Sequence, residues 1–267
     1  MMPGLLLLYP DIADGFLQYR VARLDGGRHK ATTFSPPYAG VAFAWESATT
    51  GVELAGPPWG TLEVHIGSDV ALAVWQVWLA MQDSLPSGWL SATAWPLLRG
   101  VAEFWESKLA LDNPGAAPGS PLNLTGVQGP DEYHYPVDNS AYVNVGAVQT
   151  LTRAASVGQS LGVARSVWQP WLDLAARIVI PFDEARGYHV RVCSAAPPRD
   201  GSLREPLLTL QSFSPLFSAA RVLWLPVRDS RQAGRHDPPR LPLAVGGARE
   251  HARGARRGPR GLWRRRD

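Results

Sequence analysis

The chain has 267 residues and a formal net charge of +3, which is enough length for one large domain or two small ones. The charge is unevenly divided, because residues 1–189 carry 10 Lys and Arg against 17 Asp and Glu, whereas residues 190–267 carry 16 Arg, no Lys and 6 acidic residues. The basic character therefore comes from the C-terminal part alone and gives no reason to expect a nucleic-acid partner. The single cysteine, Cys193, excludes an intrachain disulfide.

The N-terminus contains four consecutive leucines, Leu5–Leu8. They lack the basic segment and the length of a signal peptide, and no stretch approaches the roughly 20 apolar residues of a membrane span. We therefore expect a cytoplasmic protein without a membrane partner, in which the sequon Asn123-Leu-Thr125 occurs by chance.

Hydrophobic periodicity predicts a helical chain. Apolar residues at three- and four-residue steps predict a helix over 11–24, which Gly26-Gly27 should end. Residues 31–60, rich in Gly, Pro, Ser and Thr, predict a long functional connection. Further helices are predicted over 69–82, 94–109, 139–161 and 165–180, with a short strand over 122–127. Helix 69–82 is apolar on most of its surface, which predicts thorough burial, and the whole pattern favours an all-α fold.

Residues 126–134 carry the strongest functional signal. They place Glu132 behind a Gly-Pro turn, between an acid and an aromatic residue. Glycosidic bond cleavage requires a carboxylic acid that gives a proton to the leaving oxygen. A polar surface loop is the ordinary interpretation of an acidic segment, but the length and particular order of this one favour the catalytic interpretation.

Five segments in order carry a resemblance to glycoside hydrolase family 65, a group of trehalases, disaccharide phosphorylases and collagen-directed glucosidases. They are Met2-Pro3 with Leu5–Leu8, Phe43-Ala-Trp-Glu-Ser-Ala48, Glu63-Val-His65 with Asp69, Gly129-Pro-Asp-Glu-Tyr-His134 with Val137–Asn144, and Pro181-Phe-Asp183. The resemblance covers residues 1–189. It implies a partial (α/α)6 barrel of the six-hairpin glycosidase kind, with long functional loops.

The resemblance also implies roles for individual residues. Glu132 is expected to be the general acid, with a pKa raised toward neutrality. Family members invert at the anomeric carbon; a hydrolase activates water with a second carboxylate about 6.5–9.5 Å away, and a phosphorylase uses phosphate instead. Trp45 and Glu46 are expected to contact the sugar, with a buried Trp and a supporting acid as the alternative. Asp131 and His134 either orient Glu132 and bind hydroxyls or fix the loop by hydrogen bonds.

The remaining aromatic and histidine residues are interpreted as structural. His65 is expected to support the fold rather than catalysis. Tryptophans on predicted helix faces are expected to lie in the core, namely Trp75, Trp78, Trp105, Trp168 and Trp171.

Within the family, the branch that removes glucose from the glucosyl-galactosyl-hydroxylysine of collagen resembles this chain most. The resemblance thus implies inverting hydrolysis of a terminal α-glucosyl residue, with a carbohydrate as the partner and neither a metal nor an organic cofactor. Gly129 and Asp138 depart from that branch, so trehalase and α-glucoside phosphorylase remain alternatives.

The resemblance implies segments that this chain does not contain: a Trp-Asp-Thr-Glu segment upstream, and a Lys-Gln-Ala-Asp segment and the base downstream. Residues 190–267 are interpreted as retained-intron or frameshifted sequence, with a genuine basic tail as the alternative. We therefore expect the chain alone to be an incomplete, inactive fragment that aggregates or is molten, and a non-enzymatic truncated isoform is the third functional alternative. A monomer that unfolds cooperatively and releases glucose would contradict this expectation.

Overall fold

The computed structural model describes residues 2–184 and 187–189 of the chain. The helices are α1 (Met2–Leu8), α2 (Pro10–Val21), α3 (Leu24–Thr33), α4 (Trp59–Leu62), α5 (Ile66–Met81), α6 (Trp95–Asp112), α7 (Ala141–Ser160) and α8 (Arg165–Ala175). Two short strands, β1 (Phe182–Asp183) and β2 (Tyr188–His189), pair antiparallel. The described part is thus mostly helical, as predicted, and none of its helices has the length and hydropathy to cross a membrane. The predicted tail, 190–267, lies outside the described residues.

Helices α5, α6 and α7 pack against one another, with α8 along α7 and with α1 and α2 against α5. Small residues allow α5 and α7 to approach closely, since a Cβ added at Gly146 would lie 2.9 Å from the Ser68 Cβ. The Ser68 hydroxyl accepts a hydrogen bond from Trp105 Nε1 at 3.0 Å and lies 3.1 Å from the hydroxyl of Thr150. One buried serine therefore joins the three central helices.

The tryptophans predicted to be core residues all contact one hydrophobic core. Trp105 and Trp171 are 0% and 1% exposed, and the other three are partly buried against the same core. The Trp171 indole N–H donates to Glu106 Oε2 at 2.9 Å, which satisfies its polar atom. The core prediction is therefore confirmed, completely for two of the five.

The expectation that Gly26-Gly27 would end a helix is wrong, because both residues lie inside α3. A Cβ at Gly26 would lie 2.8 Å from the Gly51 carbonyl oxygen, and a Cβ at Gly27 would lie 2.6 Å from Val41 Cγ1. The two glycines are needed because the following loop packs directly onto this helix. That tertiary contact offsets the cost of glycine in a helix, which is about 1 kcal/mol per residue.

Three predicted boundaries are also corrected. The connection predicted over 31–60 is shorter, since α3 continues to Thr33 and α4 begins at Trp59. The predicted strand 122–127 forms only isolated bridges, Leu122 with Ile178 and Val127 with Val137. The helix predicted over 165–180 ends at Ala175, because the bridge at Ile178 requires extended backbone. A π-helical stretch, Leu90–Ala94, precedes α6.

Helix α5 is buried less completely than predicted. Leu72 and Leu79 are 39% and 46% exposed, because the helices that pack on α5 cover only part of its circumference. Leu8 and Phe16, on α1 and α2, are 67% and 49% exposed. The predicted association of the isolated chain would depend on this apolar surface.

Candidate functional site

The segment that carries Glu132 is a loop closed by backbone hydrogen bonds. Val127 and Val137 exchange N–H···O bonds of 2.9 and 2.8 Å, and the loop extends between them. At its base, the Gln128 N–H donates to the Leu62 carbonyl at 2.9 Å. The loop is therefore attached to the end of α4, and the Glu132 side chain is exposed near its tip.

The tip of the loop is shaped by Asp131. Its carboxylate lies 2.7 Å from His134 Nδ1 and accepts the Tyr133 N–H at 3.2 Å. These contacts make Asp131 and His134 loop-stabilising residues, while their predicted contact with a sugar stays a prediction. Tyr133, next to Glu132, is 88% exposed.

Asn139 attaches the loop to the start of α7. Its φ of 53° is in the left-handed region, which asparagine adopts more readily than most residues. Its Oδ1 accepts from the Leu124 N–H at 3.1 Å and from Asn144 Nδ2 at 3.0 Å, and its Nδ2 donates to Asn123 Oδ1 at 2.8 Å. The departure of the loop from the helix is thus defined on both sides.

A buried carboxylate, Glu63, lies beneath this loop and is 2% exposed. Gln128 Nε2 donates to it at 3.1 Å, its Oε2 lies 3.5 Å from His65 Nε2, and the Trp45 side chain is within hydrogen-bonding reach. Burial raises the pKa of Glu63 above its usual range; the neighbouring His65 opposes this rise, and the charge of Glu132 adds to it. Trp45 therefore borders a buried acid on which the charge of Glu132 also acts.

His65 belongs to a partly buried chain of hydrogen bonds. Its Nδ1 lies 2.7 Å from Asp69 Oδ2, and Asp69 Oδ1 accepts from the Tyr142 hydroxyl at 2.6 Å. Burial and the bond to Asp69 raise the pKa of Tyr142 above its usual range. His65 is 5% exposed and meets the Tyr142 ring edge-on, a placement that agrees with the structural role predicted for it.

Trp45 and Glu46 lie on a loop whose backbone is hydrogen-bonded to the Glu53 carboxylate. Trp45 is 38% exposed and Glu46 is exposed, so the alternative of a buried tryptophan does not hold. The backbone N–H groups of Trp45 and Glu46 donate to the Glu53 carboxylate at 2.8 and 3.1 Å, and Lys30 Nζ lies 2.6 Å from it. Burial alone would raise the pKa of Glu53, but these hydrogen bonds outweigh it and hold the pKa below its usual range.

The sequence did not reveal the residues that support these loops. In the sequence, Glu63 stands only within a segment that resembles the family, and no motif indicates a role for Lys30, Glu53 or Gln128. The only available signal was the short Glu63-Val-His65 segment, because the other contacts join residues that are distant in the chain.

Opposite pKa shifts predict opposite pH dependences for two glutamine variants. A carboxyl whose folded pKa is raised, as for Glu63, stabilises the fold below its unfolded pKa, and this contribution is lost as pH rises through the folded pKa. A carboxyl whose folded pKa is lowered, as for Glu53, stabilises the fold at pH values above its unfolded pKa. This stabilising contribution is lost as pH falls through the folded pKa. Relative to wild type, Glu63→Gln should gain thermal stability as pH rises, whereas the deficit of Glu53→Gln should shrink in acid.

Tm measured by calorimetry between about pH 3 and pH 8 tests this pair, because both unfolded values lie near the ordinary carboxyl pKa. Each variant serves as the other's control for the loss of a carboxylate. Parallel Tm curves for Glu63→Gln and wild type would contradict the assignment for Glu63.

The sequence profile of the glycosyl hydrolase family 65 central catalytic domain matches residues 1–193. Protein-glucosylgalactosylhydroxylysine glucosidase of Gallus gallus is 36% identical over 190 residues, which are 71% of this chain and 26% of that protein. Kojibiose hydrolase of Flavobacterium johnsoniae is 36% identical over 182 residues, which are 67% of this chain and 25% of that protein. The chain therefore spans about a quarter of the length of these relatives.

A similar backbone occurs in a solved structure from the human microbiome whose name includes kojibiose phosphorylase. Its TM-score is 0.59, at 15% identity, over 72% of this chain and 27% of that chain. At this identity the likeness concerns the fold alone.

Proposed function

Since the chain belongs to glycosyl hydrolase family 65, we propose that residues 1–189 form the acid-bearing part of an (α/α)6 barrel site that cleaves α-glucosides with inversion. Glu132 is the general acid, and Trp45 and Glu46 contact the glucosyl group. The observation that carries this proposal is the position of Glu63, which accepts a hydrogen bond from Gln128 at the base of the Glu132 loop at 3.1 Å and has the Trp45 side chain within hydrogen-bonding reach. Two segments that are far apart in the chain are thereby brought to one place.

In this mechanism Glu132 gives its proton to the glycosidic oxygen as the bond to the anomeric carbon breaks. Its exposed carboxyl can reach a ligand and can take a new proton from solvent. The Trp45 ring offers its exposed face to the apolar face of the sugar, and the Glu46 carboxylate accepts hydroxyl hydrogen bonds. No described residue is assigned as the base that activates water.

For the substrate, we propose the glucosyl-galactosyl-hydroxylysine of collagen. Relatives named for this substrate from Gallus gallus and Mus musculus are 36% and 37% identical to the chain. An α-glucosyl disaccharide such as kojibiose is the second candidate, because a kojibiose hydrolase is also 36% identical. Trehalose remains an alternative.

A graft tests the activity. Residues 1–189 replace the matching segment of the Gallus gallus relative, and glucose release is measured from glucosyl-galactosyl-hydroxylysine, kojibiose and trehalose, with and without phosphate. Release without phosphate from the first substrate supports the proposal, whereas phosphate-dependent glucose 1-phosphate identifies a phosphorylase. A folded graft that cleaves none of the three contradicts it.

For residues 190–267, of which the family profile matches only 190–193, we propose that they are retained-intron or frameshifted sequence. Their composition, with arginine and no lysine, is the observation behind this proposal. Sequencing mature transcripts across codon 190 tests it, and a message that encodes residues 190–267 as written would overturn it.

Replacing Trp45 with alanine should weaken glucoside binding by about two- to tenfold, since a stacked aromatic ring contributes about 0.5–1.5 kcal/mol. The affinity of the graft that carries residues 1–189 for methyl α-glucoside, measured by calorimetric titration, provides the readout. Tyr9→Ala removes another exposed aromatic ring, in the linker between α1 and α2, and should not change the affinity. Equal effects of the two variants would remove Trp45 from the site.

A further inference from the structure

The Glu53 carboxylate has an unusually complete set of hydrogen-bond donors. Its Oε2 accepts from Lys30 Nζ at 2.6 Å and from the Trp45 N–H at 2.8 Å, and its Oε1 accepts from the N–H groups of Glu46 and Ala55, both at 3.1 Å. The side chains of Lys30 and Glu53 are 5% and 15% exposed. A single carboxylate thus organises the backbone on both sides of residues 46–53.

The anchor of this arrangement is a rigid element. Lys30 lies on α3, where it also donates to the Phe43 carbonyl at 3.3 Å. Burial lowers the pKa of Lys30, and the hydrogen bond to Glu53 opposes this change. A buried ion pair adds little to stability, because the cost of desolvating the two charges is about as large as their electrostatic attraction. We therefore look for the effect of this pair in the geometry that it imposes.

The geometry specifies a carboxylate rather than a neutral side chain. All four partners of Glu53 are donors, and each oxygen accepts two of them. Glutamine would turn an N–H₂ group toward two donors, whereas a carboxylate has acceptor sites for all of them. Charge-assisted hydrogen bonds of this kind are also shorter and stronger than neutral ones.

We propose that Glu53, neutralised by Lys30, is a positioning residue that holds the backbone of Trp45 and Glu46 so that their side chains face a glucosyl ligand. The identity of the ligand rests on the proposed function, and the restraint on the loop does not. Glu53 itself touches no substrate in this arrangement, since its acceptor sites are occupied by the protein.

Hydrogen exchange tests the restraint directly in the graft that carries residues 1–189. Glu53→Gln should accelerate exchange of the amides of Trp45, Glu46 and Ala55 by about tenfold or more, as expected for the loss of a charged acceptor, while the amides of α6 and α7 are unchanged. Glu103→Gln removes an exposed carboxylate paired with Arg99 on α6 and should leave the loop amides unaffected. Unchanged loop exchange in Glu53→Gln, or equal acceleration in the loop and in α6, would overturn the inference.

Binding of methyl α-glucoside separates this inference from the proposed function. Glu53→Gln should weaken binding about as much as Trp45→Ala, by about two- to tenfold. The double variant Lys30→Met with Glu53→Leu leaves no buried charge unpaired, so it should fold and still bind weakly. If the wild type binds no glucoside but loop exchange responds to Glu53→Gln, the proposed function fails and the restraint stands. If the wild type binds and both variants bind equally well, the positioning role fails.

Discussion

Replacing Glu132 with glutamine should lower the rate of glucose release by about 10²–10⁴-fold, the usual contribution of a general acid. Glutamine keeps the size of the side chain and removes the transferable proton, and Glu132 is exposed, so the fold should not change. The measurement is kcat for glucosyl-galactosyl-hydroxylysine in the graft that carries residues 1–189. Binding of methyl α-glucoside should change little.

A substrate with an activated leaving group separates acid catalysis from a structural effect. α-Glucosyl fluoride needs little proton donation, so Glu132→Gln should cleave it much closer to the wild-type rate than it cleaves the collagen disaccharide. Glu103→Gln, on the exposed side of α6, should leave both rates unchanged. Equal loss on both substrates in Glu132→Gln would exclude the general-acid role.

Replacing Trp105 with alanine should lower the free energy of unfolding by about 3–5 kcal/mol. Trp105 is 0% exposed, packs edge-on against Phe104 and donates its indole N–H to Ser68. The variant therefore loses buried apolar area and leaves a cavity where α5, α6 and α7 meet. Urea unfolding of the graft that carries residues 1–189, followed by circular dichroism, gives the comparison with the unsubstituted graft.

Leu79→Ala is the matched control for this loss of apolar volume. Leu79 is 46% exposed on α5. Its replacement should therefore lower the free energy of unfolding by only about 0.5 kcal/mol, as at surface positions, which is much less than the loss at Trp105. If the two variants lost equal stability, the packed core among the three helices would not exist as described.

The helices were predictable because their signal is local. Apolar residues at helical spacing identified α5, α6 and α7, and each was found within a few residues of its predicted bounds. The errors arose where a tertiary contact competed with a local rule. Gly26 and Gly27 lie inside a helix, where the local rule predicts its end, because Gly51 and Val41 pack where their Cβ atoms would lie.

The candidate site was predictable only in part. The segment around Glu132 and the loop with Trp45 and Glu46 stood out because each is a short, continuous motif. The buried Glu63, which contacts Trp45 and responds to the charge of Glu132, could not be assigned a role, since no periodicity connects these three segments. The same is true of Lys30 and Glu53, whose ion pair joins a helix to a distant loop.

The amino-acid sequence by itself determined the helical class and the family, and it singled out Glu132 as the candidate acid, because helix periodicity and contiguous motifs are properties of neighbouring residues. Only the tertiary structure decided which acids are buried, which donors each carboxylate accepts from and which face of α5 is exposed. These depend on contacts between segments far apart in the chain, and such contacts also set the pKa values of Glu53 and Glu63 in opposite directions.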